Sequence, residues 1–169
     1  MLLKNTAPAE AEKEAGLYVN FRNGEVIVRR PDGTEEAYAE VSGNVKSLRT
    51  ATRTFRGQPK PYVYLTLTDG EEVYLVGFYA DGGTYAGFLM SVYGKGIKKG
   101  ELLRLVPVKR GDYTNILVYR GEGATEALKW DKSVELPTNR EAKASFLADL
   151  TREVSASLKG TSGGVIYPT

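Results

Sequence analysis

The sequence lacks cysteine and histidine altogether, although it is 169 residues long. Without cysteine the chain can form no disulfide framework, no thiolate zinc site and no cysteine nucleophile. Without histidine it lacks the commonest general base and metal ligand, and the Ser-His and Cys-His pairs on which most nucleophilic catalysis depends. An enzyme would have to use carboxylates, lysines or tyrosines alone. We therefore expect a binding protein with no catalytic residue, no metal and no cofactor.

The sequence also has no long apolar run and little net charge. No uncharged apolar segment approaches the about 20 residues that span a bilayer, and residues 1–8 contain no signal-peptide core. We expect a cytoplasmic protein with no membrane partner. Because the formal net charge is only +2, a polyanionic partner must be argued from how the charges are distributed.

Turn signals divide the middle of the chain into short strands. Asn23-Gly24 separates two β-rich segments, 17–22 and 25–30, and predicts a hairpin. Asp69-Gly70 predicts a second hairpin between the alternating segments 62–68 and 71–79. A long irregular strand or strand pair is expected over 34–56, with a bend near Gly43. Pro59 and Pro61 are expected to bound a loop after it. Strands are also expected at 101–108, 113–120 and, more briefly, 127–130.

Two segments have the spacing of helices. The first covers 85–93 and should end at Gly94. The second runs over 142–158 behind a capping box formed by Thr138 and Glu141. Its apolar stripe is interpreted as core or as the contact of a homo-oligomer, and Trp130 as a core anchor. The predicted divisions are a flexible arm (1–16), a β-rich domain (17–136), a C-terminal helix (137–159) and a loose tail (160–169).

The order of the central elements is bent strand, strand, strand, helix, strand, strand, which is the order in a five-stranded OB barrel. Over residues 38–120, including the Lys- and Gly-rich entry 97–103 to the fourth strand, the sequence resembles the small single-stranded-DNA-binding proteins of bacteriophages. The resemblance implies a mostly β, OB-like barrel with one helix between strands 3 and 4, here extended by an N-terminal hairpin and a C-terminal helix. An SH3-like barrel or a β-sandwich would also contain six or seven short strands.

The same resemblance implies sequence-tolerant binding of single-stranded DNA in replication or recombination, with RNA as a second candidate ligand. The acidic C-terminal tail that many such proteins carry is missing here, so recruitment of replication partners is not implied. The alternative from another class is a phage structural or assembly protein that makes protein contacts through its β-barrel.

Basic residues are concentrated in two segments with few acids. No Asp or Glu occurs between Val41 and Thr68, and a single acid, Glu101, lies within the second segment, 95–110. In an OB fold these segments flank the ligand groove, where cations hold phosphates without reading sequence. A solvated basic loop would have the same spacing. The predicted phosphate contacts are Lys46, Arg49, Arg53, Arg56, Lys60, Lys98, Lys99, Lys109 and Arg110.

Alternation along strand 62–68 separates aromatic from aliphatic side chains. Tyr62 and Tyr64 lie on one face, and Val63, Leu65 and Leu67 lie on the other. Because the aliphatic face should be core, the tyrosines are predicted to line the groove, where bases could stack on them.

The sequence does not decide which face of the return strand, 71–79, is buried. Tyr74 and Phe78 lie on one face and Leu75 and Tyr79 on the other, and both faces are apolar enough to be inside. We include Tyr74 and Phe78 among the candidate stacking residues. Exposed tyrosines in strands are also often mere cross-strand packing partners.

Overall fold

The computed structural model describes residues 16–159. Within them the strands are β1 (Leu17–Arg22), β2 (Glu25–Arg29), β3 (Glu35–Tyr38), β4 (Val41–Phe55), β5 (Gln58–Asp69), β6 (Glu72–Tyr79), β7 (Leu102–Arg110) and β8 (Tyr113–Arg120). The helices are α1 (Gly83–Val92) and α2 (Arg140–Lys159). The predicted arm, apart from Gly16, and the predicted tail lie outside the described residues.

These strands form one sheet of eight in the order β3-β2-β1-β6-β5-β4-β7-β8. Neighbours are antiparallel, except that β1 runs parallel to β6. The sheet curls into a half-barrel, so the β1–β2 turn reaches strand β8. There the Gly24 N–H donates a hydrogen bond of 3.0 Å to Thr114 Oγ1.

The expected five-stranded barrel is only partly right. Strands β4 to β8 follow one another with α1 between β6 and β7, as predicted, and β4 pairs with both β5 and β7. Closing these five strands into a barrel would require β6 to pair with β8, but β1 lies along β6 instead. The N-terminal hairpin is therefore an integral part of the sheet, and the result is a mostly β half-barrel of eight strands.

The core lies inside the curl. Val63, Leu65 and Leu67 of β5 are buried there, which confirms their predicted facing. Helix α1 is buried along most of its length because it lies between the sheet and α2. The Tyr85 hydroxyl of α1 hydrogen-bonds the Thr151 hydroxyl of α2 at 2.7 Å, so this buried polar pair between the helices is satisfied.

Helix α2 packs its apolar stripe on this core rather than leaving it unpaired, through Leu147, Leu150 and Leu158. The predicted capping box is wrong, because the chain enters the helix one residue later than expected. Asn139 is the cap, and its Oδ1 accepts a 2.9 Å hydrogen bond from the Ala142 N–H.

The segment before α2 also differs from expectation. Residues 127–130 form no strand, and Trp130 is not a core anchor, since it is 42% exposed. Its indole N–H donates to the Val134 carbonyl at 3.1 Å. That bond ties the exposed ring to the segment before α2 and gives the indole N–H the acceptor it needs.

The strands β4 and β5 extend beyond the rest of the sheet as a hairpin arm, defined here as residues 52–61. Strand β6 ends opposite Tyr62, and the Ala80 N–H that follows it still donates to the Pro61 carbonyl. Beyond Pro61, no strand within residues 16–159 pairs with that side of the arm. The Arg56-Gly57 turn has φ values of 53° and 77°, as a tight hairpin turn requires. The sequence predicted a loop here because of Pro59 and Pro61, but both are part of β5.

Candidate nucleic-acid interface

The outer face of β4, β5 and β6 carries tyrosines and arginines in neighbouring positions. Strand pairing places Arg49 opposite Tyr64 and Tyr79 opposite Tyr62. Strand β1 adds Tyr18, which pairs beside β6. We call the following residues the tyrosine–arginine cluster: Tyr18, Tyr62, Tyr64, Tyr79, Arg49 and Arg53.

The four rings form a continuous row across the strands. The Tyr62 ring centroid lies 5.0 Å from that of Tyr79, edge to face, and 5.1 Å from that of Tyr64. The Tyr64 centroid lies 6.0 Å from that of Tyr18. These are favourable aromatic separations, so the row is a packed surface and not a set of independent side chains.

Each arginine of the cluster lies over a tyrosine. The Arg53 guanidinium carbon is 5.1 Å from the Tyr62 centroid, and that of Arg49 is 5.5 Å from the Tyr64 centroid. Both distances are within the range of cation–π attraction. Within residues 16–159, no carboxylate forms an ion pair with Arg53. Its positive charge therefore lies against tyrosine rings and is not neutralised by an ion pair within these residues.

Burial divides the row into a centre and two ends. Tyr62 is only 5% exposed, and its ring lies over Gly77, where a Cβ would come within 2.6 Å of a ring carbon. Burial raises the pKa of Tyr62, while the Arg53 guanidinium opposes that rise. Tyr18 and Tyr79 are 42% and 44% exposed. Tyr62 therefore anchors the row, and the end rings are the ones that a ligand can reach.

The structure determines which face of β6 is inside. Phe78 is buried in the core, 5.2 Å from the Phe88 ring centroid, and so cannot reach a base; its prediction as a stacking residue is wrong. Tyr74 lies on the same face and packs against the core. Burial, Asp69 and Glu72 all raise the pKa of Tyr74. A ring with acids beside it is poorly placed to bind a phosphate chain.

The predicted basic residues of the first segment that lie outside the cluster fall in three places. Lys60 pairs with Arg53 in the arm and extends the basic side of the cluster. Arg56 lies at the tip of the arm, its guanidinium carbon 5.1 Å from the Phe55 centroid. Lys46 lies at the bulge that interrupts pairing between Val45 and Ser47.

The second basic segment lies elsewhere. Lys98 and Lys99 belong to the loop between α1 and β7, which is bound to β4 where the Gly100 N–H donates to the Val45 carbonyl at 2.8 Å. Lys109 and Arg110 end β7, and a Cβ on Gly24 would come within 3.0 Å of Lys109. These four cations lie near the start of β4 or at the β7–β8 turn, apart from the tyrosine row.

A cleft of about 330 Å³ opens beside the row. Arg29, Arg53 and Tyr79 line it together with Gly82 and Gly83, where α1 begins. Among residues 16–159 no side chain caps that helix start, and its amide dipoles add to the positive potential of the two arginines. Arg29 also pairs with Glu35 at 3.1 Å, which offsets part of its charge.

Sequence reasoning missed Tyr18, Phe55, Tyr79 and Arg29. Tyr18 and Arg29 belong to the N-terminal hairpin, which an OB barrel does not include, and nothing in the sequence shows that β1 lies along β6. Tyr79 could have been found, because it alternates with Phe78 and one of the two had to face outward.

Among the described residues, no group of acidic side chains could hold a metal ion. No helix within 16–159 has the length and apolarity needed to cross a membrane. No family model, no curated protein and no solved structure is significantly similar to this chain.

Proposed function

We propose that this protein binds single-stranded nucleic acid, DNA in the first instance, along the tyrosine–arginine cluster. The observation that carries the proposal is the row of four rings with guanidinium groups over two of them. A strand of unpaired nucleotides offers alternate stacking faces and phosphates, which is the matching chemistry.

The rings and cations have different tasks in this proposal. Tyr18 and Tyr79, at the exposed ends of the row, stack bases, and Phe55 of the arm, 47% exposed, offers a third surface. Arg49 and Arg53 keep their planar faces on Tyr64 and Tyr62 while their N–H edges donate to phosphate oxygens. Tyr62 holds the row together and makes no base contact of its own.

The remaining basic residues extend the path at both ends. Arg56 and Lys60 contact phosphates along the arm, and Lys46, Lys98 and Lys99 do so near the start of β4. Lys109 and Arg110 contribute by long-range attraction, which steers a polyanion without fixing it. The order β6-β5-β4-β7-β8 with α1 after β6 supports a relation to OB-fold proteins. The difference is that β1 lies beside β6, where a closed barrel would have β8.

Fluorescence titrations with labelled oligo-dT and with duplex DNA, each at several salt concentrations, test the proposal. We expect oligo-dT to bind at micromolar concentration or below and duplex to bind far more weakly, because stacking needs unpaired bases. Affinity should fall steeply with salt as counterions are released. Weak or no binding to either ligand would favour the alternative, an assembly protein whose contacts depend little on salt.

A charge-matched pair of triple variants separates the cluster from general basicity. Replacing Arg49, Arg53 and Arg56 with Ala should weaken binding equally for all sequences and reduce the salt slope by roughly two to three units. Replacing Lys129, Lys132 and Arg140, which are exposed just before α2 or at its start, removes the same charge outside the cluster and its cleft and should change the slope by less than about one unit. Equal losses in both variants would contradict the proposed site.

A further inference from the structure

Within residues 16–159, one edge of strand β4 has no backbone partner over the last part of the strand. Strand β7 pairs with β4 only from Val41 to Asn44. Val45 then exchanges hydrogen bonds of 2.8 Å with the α1–β7 loop, and the Leu48 carbonyl accepts one of 2.7 Å from the Ser155 hydroxyl of α2. Beyond that point, from Thr50 to Thr54, no group within residues 16–159 pairs with this edge.

The backbone groups at this edge follow from the alternation of an antiparallel strand. Because the Leu48 carbonyl points away from β5 toward α2, the N–H and C=O groups of Thr50, Thr52 and Thr54 point the same way. All three residues are exposed. The edge therefore presents three donors and three acceptors in a row, which is a template for another strand.

The opposite edge of the arm is blocked. The Pro61 carbonyl points outward, since it accepts the Ala80 N–H at 3.0 Å, and Pro59 lies two residues earlier on the same edge. Neither proline has an N–H to offer there, and proline at an edge prevents strand addition. Among the described residues, the β4 side of the arm is therefore the one side open to pairing.

We propose that a second copy of this chain covers that edge, with the two β4 strands antiparallel about a twofold axis at Thr52. In this register Thr52 faces Thr52 of the second copy and Thr50 faces its Thr54, giving up to six backbone hydrogen bonds. The threonines form cross-strand pairs of a favourable kind.

The positions of the arginines in β4 favour the register about Thr52 and a second copy of the chain as the partner. With the axis at Thr52, Arg49 faces Phe55 of the second copy and Arg53 faces its Ala51, so no like charges lie directly opposite each other. Moving the axis to Ala51 would place Arg49 opposite Arg53, and moving it to Arg53 would place that residue opposite itself. Like charges directly opposite destabilise strand pairs, so the strand complements itself about Thr52 alone among these three centres.

The dimer has a consequence for the outer face. A twofold axis perpendicular to the sheet keeps both tyrosine–arginine clusters on the same side and joins the two sheets into one. The proposal does not rest on nucleic-acid binding, and it replaces the expected oligomer contact through α2, whose stripe packs on its own core.

Sedimentation velocity and light scattering without nucleic acid test the dimer. We expect a reversible, concentration-dependent species of twice the chain mass. Thr52→Pro removes an edge N–H that the arm itself does not use, so the chain should fold while dimerisation weakens at least about tenfold. Thr52→Val keeps the N–H and should still dimerise. A wild type that stays monomeric at its highest soluble concentration, or a dimer unaffected by Thr52→Pro, would overturn the proposal.

Cysteine cross-linking tests the register independently, since the chain has no cysteine of its own. Thr52→Cys places two thiols opposite each other, where strand Cα atoms are about 5.5 Å apart, within disulfide range. Thr50→Cys alone should not cross-link, because it faces Thr54, whereas Thr50→Cys combined with Thr54→Cys should. Cross-linking of Thr50→Cys alone with none at Thr52→Cys would refute this register.

Discussion

The two faces of strand β5 are both largely buried, but by different means. On the inner face Val63, Leu65 and Leu67 are at most 2% exposed and contact aliphatic and aromatic core. On the outer face Tyr62 and Thr66 are 5% and 0% exposed, and around Tyr62 the cover consists of tyrosine rings and a guanidinium group. Tyrosine rings and a guanidinium group can replace their contacts with one another by contacts with a ligand. Aliphatic side chains could do so only by exposing apolar surface to water.

The largest effect is expected inside the half-barrel. Leu65→Ala should lower the free energy of unfolding by roughly 2–5 kcal/mol, because a truncated buried leucine leaves a cavity. Urea denaturation would measure it, and the affinity of the folded fraction for oligo-dT should be unchanged. If the variant is as stable as the wild type, the assignment of the inner face is wrong.

A smaller effect is expected where the outer row meets β6. Gly77→Ala introduces a Cβ within 2.7 Å of the Tyr62 ring and hydroxyl, and such overpacking typically costs about 1–3 kcal/mol of stability. Gly87→Ala is the matched control, because a Cβ added at Gly87 in α1 would have no neighbouring atom within 4 Å. Alanine should stabilise that helix by about 0.5–1 kcal/mol. Opposite signs in thermal melts are the expected result; two neutral variants would show that Tyr62 is free to move.

At the exposed end of the row the effect should appear in binding. Tyr79→Ala should cost about 1–3 kcal/mol of oligo-dT affinity with little change in salt slope, since no phosphate contact is lost. Its stability cost should stay near the roughly 0.5–1.5 kcal/mol of one aromatic pair. Tyr79→Phe keeps the ring and should bind almost normally. A reversed pattern, with stability lost and binding kept, would make the outer row a structural feature alone.

The smallest effect is expected at Tyr113, which is 62% exposed at the β7–β8 turn beside Arg110. Tyr113→Ala should change stability by no more than about 0.5 kcal/mol and leave oligo-dT affinity unchanged. A clear loss of affinity would extend the interface to this turn. It would also restore the predicted role of Lys109 and Arg110 as a wall of the binding groove.

Local sequence patterns were enough to predict part of the fold correctly. The Asn23-Gly24 and Asp69-Gly70 hairpins formed as predicted, because their turns require residues that tolerate positive φ. The alternation at 62–67 separated core from outer face for the same local reason. Pro59 and Pro61 led to a wrong prediction of a loop. Proline interrupts a strand only where its missing N–H is needed, and both prolines lie beyond the end of β6, where no strand within residues 16–159 pairs with that edge.

By itself the sequence determined most of the strand and helix content, the inner face of β5 and the gathering of cations without acids between Val41 and Thr68. All of these depend on neighbours within a few residues. Tertiary structure alone decided that β1 lies along β6, that Phe78 faces inward and that Tyr18 and Tyr79 complete the row. These depend on which strands meet across the sheet, and pairing between distant segments leaves no periodic trace in either one.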